Sequence, residues 1–143
     1  MAVKKAVTEW TGDFRNGRGT ITAGGGAFSV VEDFASAFGD GPGTSSVELL
    51  MAAISSCFSA ALAGTLAKAK FEPRLIRTEA RGGLEKTDGG LILPRIEMHC
   101  RAEVAGIDEE TFQRLVAQAH KACPVGKALA ATPIDLKAEL IRS

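Results

Sequence analysis

Net charge is missing from this chain of 143 residues: 17 Lys and Arg balance 17 Asp and Glu, and the formal sum is zero. That excludes a field that would gather nucleic acid or anionic lipid, and no basic cluster interleaved with aromatics stands in for it. An apolar signal core is also missing, because MAVKKAVTEW runs from a charged pair straight into polar residues. The longest weakly polar run, Leu49 to Ala67, approaches the length of a membrane span, but it is built from Ala, Ser and Gly rather than Leu and Phe. A central helix packed on most sides accounts for it better than a membrane does. Cysteine is scarce, with three residues. Without a signal segment this argues against a secreted disulfide scaffold and for the cytoplasm, where thiols stay reduced or do redox work.

Ready-made catalytic signatures are missing too. There is no CxxC, no HExxH and no carboxylate cluster with metal-ligand spacing. GDGPGT lacks the lysine of a phosphate-binding loop, and two histidines, His99 and His120, are too scattered in sequence to define a Cys-His dyad.

What is present reads as one domain over residues 1–143, with no internal repeat and no linker. AVKKAVTEW alternates as a first strand, and Asn16-Gly17 predicts a tight hairpin turn into further short strands. Ser45-Ser46-Val47-Glu48 matches a capping box and predicts a long helix from about Ser46 to Lys70. Two strands should follow, RLIRTEARGGLEK and LILPRIEMHCRAEV, joined around Asp88-Gly89-Gly90. In the second, Ile96, Met98, Cys100, Ala102 and Val104 alternate with Glu97, His99, Arg101 and Glu103. Asp108 predicts a helix cap, Phe112, Leu115, Val116 and Ala119 a buried stripe, and IDLKAEL a closing strand. The order of elements describes an α+β fold with an antiparallel sheet.

The three cysteines sit in different contexts. Cys100 shares an apolar strand face and reads as packing. Cys57, in the middle of the Ala-rich helix, reads on its own as a core thiol with small neighbours and no charge. Cys123 precedes Pro124, which favours the first helical position and places the thiol at an N-cap. There it is either a buried helix-breaker neighbour or a thiol acidified by helix N–H groups, with Lys121 and Lys127 close in sequence.

Taken together, WTGDFRNGRGT, GPGTSSVELLMAAISSCFSAAL, PRIEMHCRAEVAGID and KACPVGKAL resemble the OsmC/Ohr family, the osmotically inducible protein C and organic hydroperoxide resistance proteins. The likeness runs nearly end to end and is closer to the OsmC branch. It implies an OsmC-like α+β fold, with antiparallel sheets around a long central helix, in an intertwined homodimer. It also implies reduction of organic hydroperoxides by thiols, with no metal or flavin cofactor. Cys57 would then be the peroxidatic cysteine and Cys123 the resolving one, with an external dithiol, a lipoyl-type dithiol among the candidates, restoring both.

The sequence departs from that family's pattern at two places. Val47 stands where the family carries a Glu, and Ala37 stands where the OsmC branch carries an Arg. Such a pair would stabilise a thiolate and orient the peroxide. Glu48 falls about half a turn around and roughly 13 Å along an ideal helix from Cys57, so it reads as a capping residue or one offered by a partner subunit. Arg15 and Arg18 read as hairpin surface residues or as a replacement cation. Two functions follow: a two-cysteine hydroperoxide reductase, or a family member without peroxidase activity that binds an apolar ligand or senses redox state.

Overall fold

The computed structural model describes residues 2–142. Internal contacts divide the chain into two compact units, residues 1–49 and 50–143.

In the first unit β1 (Ala6–Thr11), β2 (Arg18–Ala23) and β3 (Ser29–Asp33) form an antiparallel sheet in chain order. The β1–β2 connection is longer than the tight turn that Asn16-Gly17 predicts, since pairing stops at Thr11 and Arg18. Asp13 reverses the chain first: its carboxylate accepts from the backbone N–H groups of Arg15 and Asn16, each at 2.9 Å. Gly12, not Gly17, takes the positive φ, at +90°. After β3, Asp33 caps the short helix α1 (Phe34–Phe38), accepting from the Ser36 N–H at 2.8 Å.

The helix α2 (Ser46–Lys68) starts in this unit and continues through the second. Ser45 Oγ accepts from the Glu48 N–H at 3.1 Å, one half of the predicted capping box. The Glu48 carboxylate accepts from the Thr44 hydroxyl at 2.7 Å instead of returning to the Ser45 backbone. The helix ends near Lys70, whose positive φ of 69° breaks the helical path.

The second unit continues with β4 (Pro73–Arg81), the small hairpin β5 (Glu85–Thr87) and β6 (Gly90–Ile92), and β7 (Ile96–Val104). Then come α3 (Glu109–Ala122), α4 (Pro124–Ala128) and β8 (Ile134–Ile141). Where the sequence predicts two strands, the chain makes four, because Gly82-Gly83 and Pro94 interrupt the ladder. The main sheet has the order β4-β7-β8. Its β4–β7 pair is antiparallel, as expected, but β7 and β8 run parallel, with Cys100 opposite Ala138. A parallel pair needs a crossover, and α3 and α4 supply it.

The predicted alternation of β7 holds: Ile96, Met98, Cys100, Ala102 and Val104 are buried. Phe112, Leu115, Val116 and Ala119 of α3 join them in the core, and the Asp108 carboxylate caps that helix at the Thr111 N–H. Helix α2 contributes a stripe of Met51, Ile54, Phe58, Leu62 and Leu66. Its Ser59 hydroxyl donates to Thr78 Oγ1 of β4 at 2.8 Å, which fixes the stripe against the inner face of the sheet. Burying each large member of that stripe contributes about 1.5–3 kcal/mol.

Candidate active site

The hinge between α3 and α4 places Cys123. Its N–H closes α3 on the Ala119 carbonyl at 3.0 Å, and the same residue caps α4 with extended backbone angles of −64° and 113°. Pro124 fixes the first position of α4, as the sequence predicts. Cys123 Sγ accepts from the Gly126 N–H at 3.4 Å, and the residue is 0% exposed.

Helix α2 places Cys57 on its partly exposed flank, one residue before the buried Phe58. The ring of Phe58 meets that of His120 on α3 edge-on, with centroids 6.5 Å apart. A side chain on Gly126 would lie 3.8 Å from the Ile54 Cδ1. The face of α2 that carries Cys57 is therefore packed against the α3–α4 hinge. There the Cys57 side chain lies close enough to bear on the ionisation of the Cys123 thiol. Two cysteines widely separated in sequence are neighbours through tertiary packing alone, and both are free thiols.

Burial pushes the Cys123 thiol above its ordinary value, and the contact with Cys57 adds to the rise. The N–H groups of Gly126 and Val125 pull the other way without winning. Of the two readings that the sequence leaves open for Cys123, this favours the buried thiol over the acidified one. A one-turn helix offers few N–H groups, and loss of water outweighs them. Cys123 therefore holds its proton at neutral pH.

Cys100 is also buried and pushed up, chiefly by desolvation, with the Thr78 side chain acting weakly against it. It lies inside the strand core, as expected. His99 lies half-buried on the other side of β7, with its buried Nε2 3.3 Å from a Glu139 carboxylate oxygen. Among the described residues no hydrogen bond joins a histidine to a cysteine, and no group of three or more His, Cys, Asp or Glu is placed to hold a metal ion.

In the first unit, the Arg15 guanidinium lies 5.0 Å over the Phe34 ring, which packs tilted against Phe38, with Phe14 edge-on to both. Arg18 helps hold the Asp33 carboxyl below its ordinary value, after the stronger effect of Ser36. Val47 lies in the first turn of α2 and Ala37 in α1. Sequence reasoning missed the Gly126 N–H; the signal was present in the spacing Cys-Pro-x-Gly, which puts the third helical N–H opposite the capping sulfur.

The profile of the OsmC-like protein family matches residues 39–139. Peroxiredoxin OsmC of Escherichia coli (strain K12) is 36% identical over 129 residues, covering 90% of each chain. The chain belongs to the OsmC-like protein family. This OsmC-like protein is also similar to the organic hydroperoxide resistance protein OhrB of Bacillus subtilis, at 27% identity and a TM-score of 0.71 over 98% of each chain. An OsmC-like protein of Mycoplasma pneumoniae shares the fold, with a TM-score of 0.81 over 99% of each chain at 15% identity. The α+β architecture with antiparallel sheets and a long helix is thus the family fold.

Proposed function

We propose that this OsmC-like protein is a thiol-dependent peroxidase that reduces organic hydroperoxides, and secondarily hydrogen peroxide, with Cys57 as the peroxidatic cysteine and Cys123 as the resolving one. The observation that carries this reading is the packing of the Cys57 face of α2 against the α3–α4 hinge that holds Cys123. The names of its relatives, a peroxiredoxin and an organic hydroperoxide resistance protein, support the same chemistry.

In this scheme the Cys57 thiolate attacks the peroxide oxygen, and the O–O bond breaks to leave a sulfenic acid and an alkoxide. Cys123, which keeps its proton until then, supplies that proton to the alkoxide and becomes the thiolate needed next. It attacks the sulfenic sulfur, hydroxide departs, and a Cys57–Cys123 disulfide forms. An external dithiol, with a lipoyl-type dithiol as one candidate, reduces the disulfide; the cycle uses neither metal nor flavin. With valine and alanine at positions 47 and 37, Cys57 attacks more slowly than it would beside a Glu-Arg pair.

We further propose a homodimer. The α2 window of mean hydropathy 1.8 is only 33% buried within one chain, and the helix is long and apolar enough to cross a membrane. Its exposed Ala52, Ala53, Ser56, Ala60 and Gly64 are small, which suits close approach by a second copy better than contact with lipid. Three free thiols and balanced charge accord with a cytoplasmic protein that binds neither nucleic acid nor membrane.

The test is dithiol-dependent consumption of an organic hydroperoxide by the wild type and by three single Cys→Ser variants. Turnover should vanish in Cys57→Ser and Cys123→Ser and persist in Cys100→Ser. Equal, negligible consumption by all four proteins would favour the ligand-binding or redox-sensing alternative, the one that Val47 and Ala37 suggest.

A further inference from the structure

The two sulfurs of the pair are not equivalent, and the difference bears on how the disulfide is reopened. Cys123 is 0% exposed, enclosed by the α3–α4 hinge, whereas Cys57 lies on the partly exposed flank of α2. Cys123 Sγ has a hydrogen-bond donor aimed at it, the Gly126 N–H at 3.4 Å, at the cap of a helix that begins with Pro124. The N–H that already points at this sulfur offsets part of the cost that burial puts on a displaced thiolate there. A nucleophile must approach the sulfur it attacks from the side opposite the bond that breaks, and of the two residues only Cys57 is not wholly buried within the chain.

We propose that the reducing dithiol attacks Cys57 Sγ and that Cys123 is the leaving thiolate, received by the Gly126 N–H. This rests on the disulfide cycle proposed above. In the first step a reductant thiolate bonds to Cys57 Sγ, the Cys57–Cys123 bond breaks, and its electron pair goes to Cys123 Sγ, which then takes a proton. In the second, the other thiol of the reductant, as a thiolate, attacks its own sulfur in the mixed disulfide and expels Cys57 as a thiolate. The dithiol is oxidised to a cyclic disulfide, and both cysteines are reduced. Peroxide and reductant therefore use one entrance and one protein sulfur, so they compete for the same approach. The rival route would pass the cavity of about 340 Å³ beside α4, lined by His120, Lys121, Gly126 and Lys127 among others, which leaves Cys123 covered.

The experiment begins with wild-type protein oxidised by one equivalent of tert-butyl hydroperoxide. Peptide mass spectrometry should find the Cys57–Cys123 disulfide; its absence would defeat the cycle itself rather than the direction of attack. The oxidised protein is then mixed with glutathione, quenched in acid at short times and alkylated with a maleimide. Glutathione should be found on Cys57 and the maleimide on Cys123, by at least tenfold over the reverse. Glutathione on Cys123, or equally on both, overturns the proposal. If no adduct accumulates, native maleimide labelling of the reduced protein decides: Cys57 should react at least tenfold faster than Cys123, and equal or reversed rates overturn it.

Discussion

Oxidation of the thiol pair should lock the fold, and the size of that effect follows from the distance along the chain between the two cysteines. A bond between positions 57 and 123 closes a loop of about 66 residues. On the chain-entropy account, such a loop removes enough freedom from the unfolded state to stabilise the folded one by about 4 kcal/mol at 25 °C. Because the Cys57 face of α2 already packs against the hinge that holds Cys123, the bond can close without rearranging the fold, so most of this should be realised. With a urea slope of about 2 kcal/mol per molar, the midpoint should rise by about 2 M. The assay is urea unfolding of the reduced protein and of the peroxide-oxidised protein at equal concentration, followed by circular dichroism, with Cys57→Ser as the control. Equal midpoints in the two wild-type samples would refute the reasoning. So would a rise of the same size in Cys57→Ser after peroxide treatment.

Replacing Phe58, which is 0% exposed between α2 and His120, with alanine should cost about 3–5 kcal/mol in urea unfolding. Asp108→Ala should lower the unfolding midpoint, because the carboxylate caps α3 at the Thr111 N–H. That same hydrogen bond is the main reason its carboxyl is held below the usual range. The stability this contributes is present above the unfolded pKa of about 3.9 and is lost as pH falls through the lower folded value, so the gap to wild type should shrink below about pH 4. Gly126→Ala should fold normally or gain up to about 1 kcal/mol, being at ordinary contact distance from its neighbours and helical. Gly17→Ala should destabilise the β1–β2 hairpin, since its Cβ would fall 2.4 Å from the Asp13 carbonyl oxygen. Thermal melts should fall for Gly17→Ala and hold or rise for Gly126→Ala.

Local chemistry made some elements legible in advance. The Ser45 cap and the alanine content place α2 within two residues of its observed end, and strict alternation marks the buried face of β7. The cap at Asp108 and the Cys123-Pro124 helix start were legible for the same reason: each depends on a few neighbouring residues. Pairing direction was not, because nothing local to IDLKAEL tells β8 to run parallel to β7. Nor was the protonation of Cys123, which is decided by how much water the rest of the fold removes. The resemblance paired Cys57 with Cys123; their proximity depends on α2 packing against the α3–α4 hinge, which no spacing in the sequence encodes. Asn16-Gly17 misled for a local reason, since Asp13 completes the turn first.

The parallel pairing of β7 with β8 sets an order of events for the newly made chain. Cys123 lies on the crossover that joins those two strands, so its thiol reaches Cys57 only when that long-range connection has closed. Pairings of this kind form late in folding. Until then the chain carries three cysteines of equal standing, and an oxidant arriving early can join Cys100 to either of the others. Such a crosslink would hold strand β7 by a residue whose native place is wholly buried. On the proposed cycle, the thiol pair is thus a chemistry that the finished fold switches on, and the burial of Cys100 withdraws the competing partner at the same moment.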